Sequence, residues 1–139
     1  MSAMSNYLEK ALNDHVLGNT AYSASATVHF ALFTAVTDGD AGTVTEVSTS
    51  ATGYARASVT NNTTNFPGAT SGTGSKSNGT QITFPTATGA WGTVTHWGIY
   101  TAASGGTNLL YWGELTAARS IVTGDTPRFN AGDFTITFE

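Results

Sequence analysis

Hydrophobic positions along this chain recur mostly with a period of two. The clearest run is Trp91-Gly92-Thr93-Val94-Thr95-His96-Trp97-Gly98-Ile99-Tyr100, which follows the Pro-containing turn Phe84-Pro85-Thr86-Ala87-Thr88-Gly89. Trp91, Thr93, Thr95, Trp97 and Ile99 fall on one face; Gly92, Val94, His96, Gly98 and Tyr100 fall on the other. Successive side chains of a strand point to opposite faces, so bulky groups on both predict a central strand covered on both sides. Glycine weakens a strand unless a neighbour must come close, which singles out Gly92 and Gly98.

Residues 27–34 alternate in the same way, with Val28, Phe30 and Leu32 opposed to His29, Ala31 and Phe33. Further strands are predicted at 44–47, 54–59, 80–84, 108–115, 119–122 and 134–138. Turn signals separate them: Asp38-Gly39-Asp40, the hairpin loop 102–107, Gly124-Asp125 and Asn130-Ala131-Gly132-Asp133.

One stretch follows helical spacing instead. Over residues 6–17, Leu8, Leu12 and Val16 recur at every fourth position, with Tyr7, Ala11 and His15 beside them. Asn6 is the expected N-cap, with Glu9 in capping-box relation, and Gly18-Asn19 is the stop. So short a helix needs a docking partner for its apolar stripe, either its own sheet or another subunit. Residues 60–79 carry almost no large apolar side chain beyond Phe66, and a polar loop of that length is usually functional or flexible.

About eight strands at such spacing predict a mainly β chain: a single-domain antiparallel β-sandwich or jelly-roll-like barrel with one N-terminal α-helix. The domain is expected to span residues 1–139, with the helix at 6–17 and the long polar loop at 60–79. No internal repeat marks the chain as the shaft of a fibre.

Composition narrows the chemistry. There is no cysteine, so disulfides and thiol nucleophiles are excluded. Net charge is −4, and the five cations (Lys10, Arg56, Lys76, Arg119, Arg128) are scattered, which argues against nucleic acid as a partner. Thr, Ser and Gly dominate the polar positions. The start, Met1 to Asn6, lacks the basic region and apolar run of a signal peptide, and no run reaches the roughly 18 apolar residues of a membrane span.

Candidate sites are weak. His15, His29 and His96 have no metal-ligand spacing and read as hydrogen-bonded structural histidines. Asp38, Asp40 and Glu46 echo a calcium loop, but Gly42 stands where a ligand belongs. Glu46, Glu114 and Asp133 could form a glycosidase pair only by meeting in space. No nucleophile elbow or phosphate loop is present. Trp91, Trp97, Trp112, Tyr100 and Tyr111 suit either a core or a sugar-stacking platform. We therefore expect no enzyme activity, no catalytic or metal residue and no cofactor.

Several blocks resemble those of a family of small tailed-bacteriophage virion proteins, often labelled tail-fibre proteins. They are Ser5-Asn6-Tyr7-Leu8-Glu9 with Leu12 and His15, Ala31-Leu32-Phe33-Thr34, and Gly53-Tyr54-Ala55-Arg56. The others are Phe84-Pro85-Thr86-Ala87-Thr88, the run from Trp91 to Tyr100, and Ala131-Gly132-Asp133. They span nearly the whole chain; the loop 60–79 is where this sequence departs from shorter forms. The resemblance implies a structural role in a virion, assembled in the host cytoplasm. A compact module without shaft repeats suits a capsid decoration or cement protein; the alternatives are a tail-fibre or tail-associated protein, or a carbohydrate-binding module for host recognition. Expected partners are copies of itself, as a homotrimer, and the major capsid protein or other virion proteins, with neither nucleic acid nor membrane. Tyr7, Leu8, Leu12, Val16, Phe66 and Pro67 are the candidate inter-subunit contacts. Residues 1–18 and 60–79 are expected to serve assembly and to be dispensable for the β core.

Overall fold

The computed structural model describes residues 2–69, 72, 74–106 and 108–137. Its framework is a six-stranded antiparallel sheet. The strands are β1 (Ser2–Met4), β2 (Thr27–Asp38), β3 (Thr43–Glu46), β4 (Ala57–Thr60), β7 (Gly92–Tyr100) and β8 (Leu109–Ile121), in the order β1-β8-β7-β2-β3, with β4 also on β2. The predicted central strand is β7, flanked by β2 and β8. Two ribbons form a second, partial layer: β5 (Lys76–Ser77) with β10 (Thr135–Ile136), and β6 (Ile82–Thr83) with β9 (Arg128–Phe129). Helix α1 (Asn6–Gly18) lies beside β1 and β8. The expected β-sandwich is therefore present in an open form, with about ten strands rather than about eight.

The main core lies on one face of the sheet. Phe30, Leu32, Trp97 and Ile99 meet Ile136 of β10, Phe84 and Phe134 beside the ribbons, and Leu8 from the helix. Trp97 and Phe134 pack edge to face with ring centroids 4.4 Å apart. A smaller cluster of Ala31, Phe33, Tyr100 and Leu109 occupies the opposite face, so the expectation of two covered faces holds. Here Gly98 has a steric reason: a Cβ on it would stand 2.4 Å from Phe33 Cζ. Gly92 has a conformational one, with φ of +83°.

Strict alternation fails along the first half of β7. Trp91, Val94, Trp97 and Ile99 all join the main core, although Val94 was expected opposite the others. The positive φ of Gly92 and a bulge between Val94 and His96 reset the phase. Between the pairs His96–Glu114 and Val94–Arg119, β7 advances two residues while β8 advances five. The strands expected at 108–115 and 119–122 are thus one long strand, with the extra residues forming a bulge.

Other boundaries also move. The N-cap is Ser5, not Asn6: Ser5 Oγ accepts from Leu8 N–H and donates to Leu109 O, and Ser5 N–H reaches Leu110 O at 2.9 Å. The short strand β1 was not anticipated; its partner segment, 111–113 of β8, supplies the backbone groups that order it. The helix ends at Gly18, and Asn19 takes the left-handed conformation. The strands expected at 54–59, 80–84 and 134–138 shorten to β4, β6 and β10, with Phe138 outside the described residues. So are Thr70, Ser71 and Thr73 of the long loop and Thr107 of the hairpin loop.

The loop 60–79 is not a free appendage. Phe66 stacks on Phe30 at 6.2 Å, and residues 76–77 form β5. Asn78, buried, donates to Thr80 O and Asn130 O and accepts from Phe134 N–H. Leu8 and Asn78 are buried, so the helix and the long loop each contribute a side chain to the interior.

Candidate interaction surfaces and the Arg56 clamp

The most connected polar cluster arises from a gap in the sheet. One edge of β2 is paired first with β4 and then with β3, and Leu32 lies between the two partners. Its N–H donates to the Tyr54 hydroxyl at 3.0 Å, and its carbonyl accepts from Val47 N–H at 3.0 Å. The same gap brings Glu46, at the end of β3, beside Arg56, just before β4. Arg56 grips Glu46 with a two-pronged bond, Nε to Oε1 at 2.8 Å and Nη2 to Oε2 at 2.7 Å. Its remaining donors reach Ala102 O at 2.9 Å and Gly105 O at 2.6 Å in the β7–β8 connection. The guanidinium lies 3.6 Å over the Tyr100 ring. Burial, reinforced by the Glu46 carboxylate, pushes the Tyr54 hydroxyl far above its ordinary pKa. Sequence reasoning missed this cluster by treating Arg56 as a scattered cation and Glu46 as a loop ligand. The Gly53-Tyr54-Ala55-Arg56 block was the available signal.

The candidate acids and histidines each have a local neighbour or partner. Glu46 is taken by Arg56 and Tyr54. Glu114 faces His96 at 3.6 Å, and Asp133 accepts from Asn130 N–H and Nδ2. Asp38 closes a turn onto Ala41 N–H, and Asp40 accepts from Trp112 Nε1 at 3.0 Å. His15, His29 and His96 have separate partners, Tyr22 N–H, Ser58 Oγ and Thr95 Oγ1. No group of three or more such side chains could hold a metal among the described residues. No helix among them is long and apolar enough to cross a membrane.

The aromatics expected either as core or as a platform are mostly core. Trp91, Trp97 and Tyr100 are buried, and Trp91 Nε1 donates to Thr52 O at 2.8 Å. Trp112 is half-buried against Gly39, where a Cβ would stand 2.1 Å from the indole. A flat sugar-stacking surface built from these rings is therefore not present.

The structure divides the candidate contact residues. Leu8, only 2% exposed, and Leu12 hold the helix to its own sheet, and Phe66 is half-buried on Phe30. Pro67 is exposed. Tyr7 (43%), Val16 (74%) and Leu17 (86%) are exposed apolar side chains of the helix, with Val16 and Leu17 neighbours in its last turn and Tyr7 in its first. Only Val122 among the described residues is a comparably exposed large hydrophobic, so three of four such residues lie on one helix.

An open groove of about 860 Å³ lies between β8 and the segment 127–137. It exists because the covering layer is built of two-residue ribbons and because the β8 bulge carries Leu115, Thr116 and Ala117 away from β7. A smaller, mainly apolar pocket of about 230 Å³ lies between the helix, Phe66 and β10.

Against known proteins, the family model described as podophage GP4 fiber I protein gp80 matches residues 3–137. No curated protein matches the chain.

Proposed function

This chain belongs to the podophage GP4 fiber I protein gp80 family, a family of phage virion structural proteins of the tail-fibre type, and on that premise we propose that it is a non-enzymatic, tail-associated fibre component. The observation that carries the reading is the family match across residues 3–137. It favours the tail-associated alternative over the capsid decoration or cement role expected first. The engagement of Glu46 and Asp133 in structural bonds supports a role without chemistry.

In this reading the protein is made in the host cytoplasm and joins the virion as a homotrimer, through contacts with its own copies and other virion proteins. The helix supplies the contact through Tyr7, Val16 and Leu17, while Leu8 and Leu12 fix the helix to its own subunit. Apolar groups so exposed gain about 25 cal/mol per Å² when a neighbour covers them. Light scattering of the purified chain, combined with cryo-electron microscopy of virions, tests the reading. We expect a trimer, density at the tail, and conversion to monomer by Val16→Glu with Leu17→Glu while the circular dichroism spectrum stays unchanged. A wild-type monomer, or density spread over the capsid lattice, would refute it.

A further inference from the structure

We propose that the exposed end of the helix docks into a second copy of this chain, Leu17 and Val16 entering that copy's apolar pocket between helix, Phe66 and β10. This rests on the reading that copies associate through the helix, and it names the surface that receives them.

Leu8, Leu12 and Val16 form one row along the helix, four residues apart. Cover falls away along it: Leu8 is 2% exposed, Leu12 is half-buried and Val16 is 74% exposed. The row therefore runs off its own sheet in the last turn, where Leu17 beside it is 86% exposed. Two adjoining aliphatic side chains left in water are a knob with no socket in their own subunit.

The same chain carries a matching hollow. Leu8, Leu12, Phe66, Phe134 and Ile136 wall the pocket of about 230 Å³. An apolar cavity of roughly 150 Å³ holds a benzene-sized group, so this one has room for a leucine side chain and part of a valine. Lys76 is the one charged residue on the wall; it is exposed and makes no ion pair among the described residues. The helix end supplies what Lys76 lacks, because its last carbonyls have no partner further along the helix and carry the negative end of the helix dipole. Knob and socket thus match in charge as well as in polarity. They are different parts of the surface, so the contact is heterologous, and every copy is satisfied only when the contacts close into a ring. The proposed homotrimer is such a ring.

The chain has no cysteine, so single cysteines report contacts without background. Leu17→Cys and Asn61→Cys, the second at an exposed residue lining the pocket, are made separately in the full chain. They are mixed dilute, reconcentrated and treated with a short bis-maleimide, while light scattering reads assembly independently. We expect a cross-link between positions 17 and 61, well ahead of any link of position 17 to itself. Leu17→Ala should raise the dissociation constant of the assembly about tenfold or more, through the apolar surface no longer covered. Lys76→Glu should raise it about tenfold, by setting a carboxylate against the helix end. Both variants change exposed side chains and should keep the wild-type circular dichroism spectrum. Position 17 linking to itself as readily as to position 61, no link between 17 and 61, or unchanged assembly in either variant would each overturn the docking. In a chain that still assembles, those outcomes leave the fibre reading standing; a monomeric wild type removes the docking and the trimer together.

Discussion

Replacing Arg56 by methionine is the sharpest probe of how the sheet is held together. The side chain is 2% exposed and makes four hydrogen bonds of 2.6–2.9 Å. Methionine keeps most of the volume and removes every donor. Glu46 would then retain only the Tyr54 hydroxyl, and the carbonyls of Ala102 and Gly105 would lose these bonds. Breaking a buried pair from one side typically costs 3–5 kcal/mol, because the surviving charge is left uncompensated. Glu46 is 26% exposed, so water partly rescues it, and the expected loss is about 3 kcal/mol. At roughly 3–4 °C per kcal/mol for a chain of this size, melting should fall by about 10 °C. Urea unfolding of wild type, Arg56→Met, Glu46→Met and the double variant supplies the decisive comparison. The double variant should be more stable than Arg56→Met alone, since removing both charges leaves none stranded. If Arg56→Met stays within about 0.5 kcal/mol of wild type, or the two losses simply add, then the clamp is not what ties the β7–β8 connection to β3.

Two further outcomes follow from local geometry. Gly98→Ala should cost about 1–3 kcal/mol in chemical denaturation, because the new methyl must displace the buried Phe33 ring, whereas Gly106→Ala, which meets nothing within 4 Å, should be near neutral; equal effects would discount the close approach. Burial, with Arg56 adding to it, holds the His29 imidazole below its ordinary pKa. The fold therefore favours neutral His29, and the stability it contributes is present above the unfolded value of about 6.5 and lost as pH falls through the lower folded value. Melting of wild type and His29→Gln should diverge between pH 7.5 and pH 5, with wild type losing more; parallel curves would remove His29 as a source of acid sensitivity.

Periodicity alone carried much of the architecture. Alternation over residues 27–34 placed Phe30 and Leu32 on one face and Ala31 and Phe33 on the other, and both clusters formed as drawn. This works because side-chain direction in a regular strand depends only on position parity, a property of the local backbone. The helix was legible for a similar reason, through Leu8 and Leu12 at one-turn spacing, although its cap fell one residue earlier. Asn6 and Ser5 are both good caps in isolation. Ser5 prevails because its hydroxyl and N–H also meet carbonyls of β8, far away in sequence.

What parity could not foresee lies wherever the pairing is irregular. Val94 turned into the main core because a bulge three residues wide in β8 shifted the register, and that bulge is defined only by two strands meeting. The groove beside it follows from the same bulge, so it too had no linear signature. The Arg56 clamp joins residues 46, 54, 56, 102 and 105 through a gap between β3 and β4. Local chain preferences determine which residues face together within one element. Which elements leave a gap, and which charges are drawn in to fill it, was decided only when the whole sheet closed, because burial and hydrogen-bond satisfaction are properties of the assembled structure.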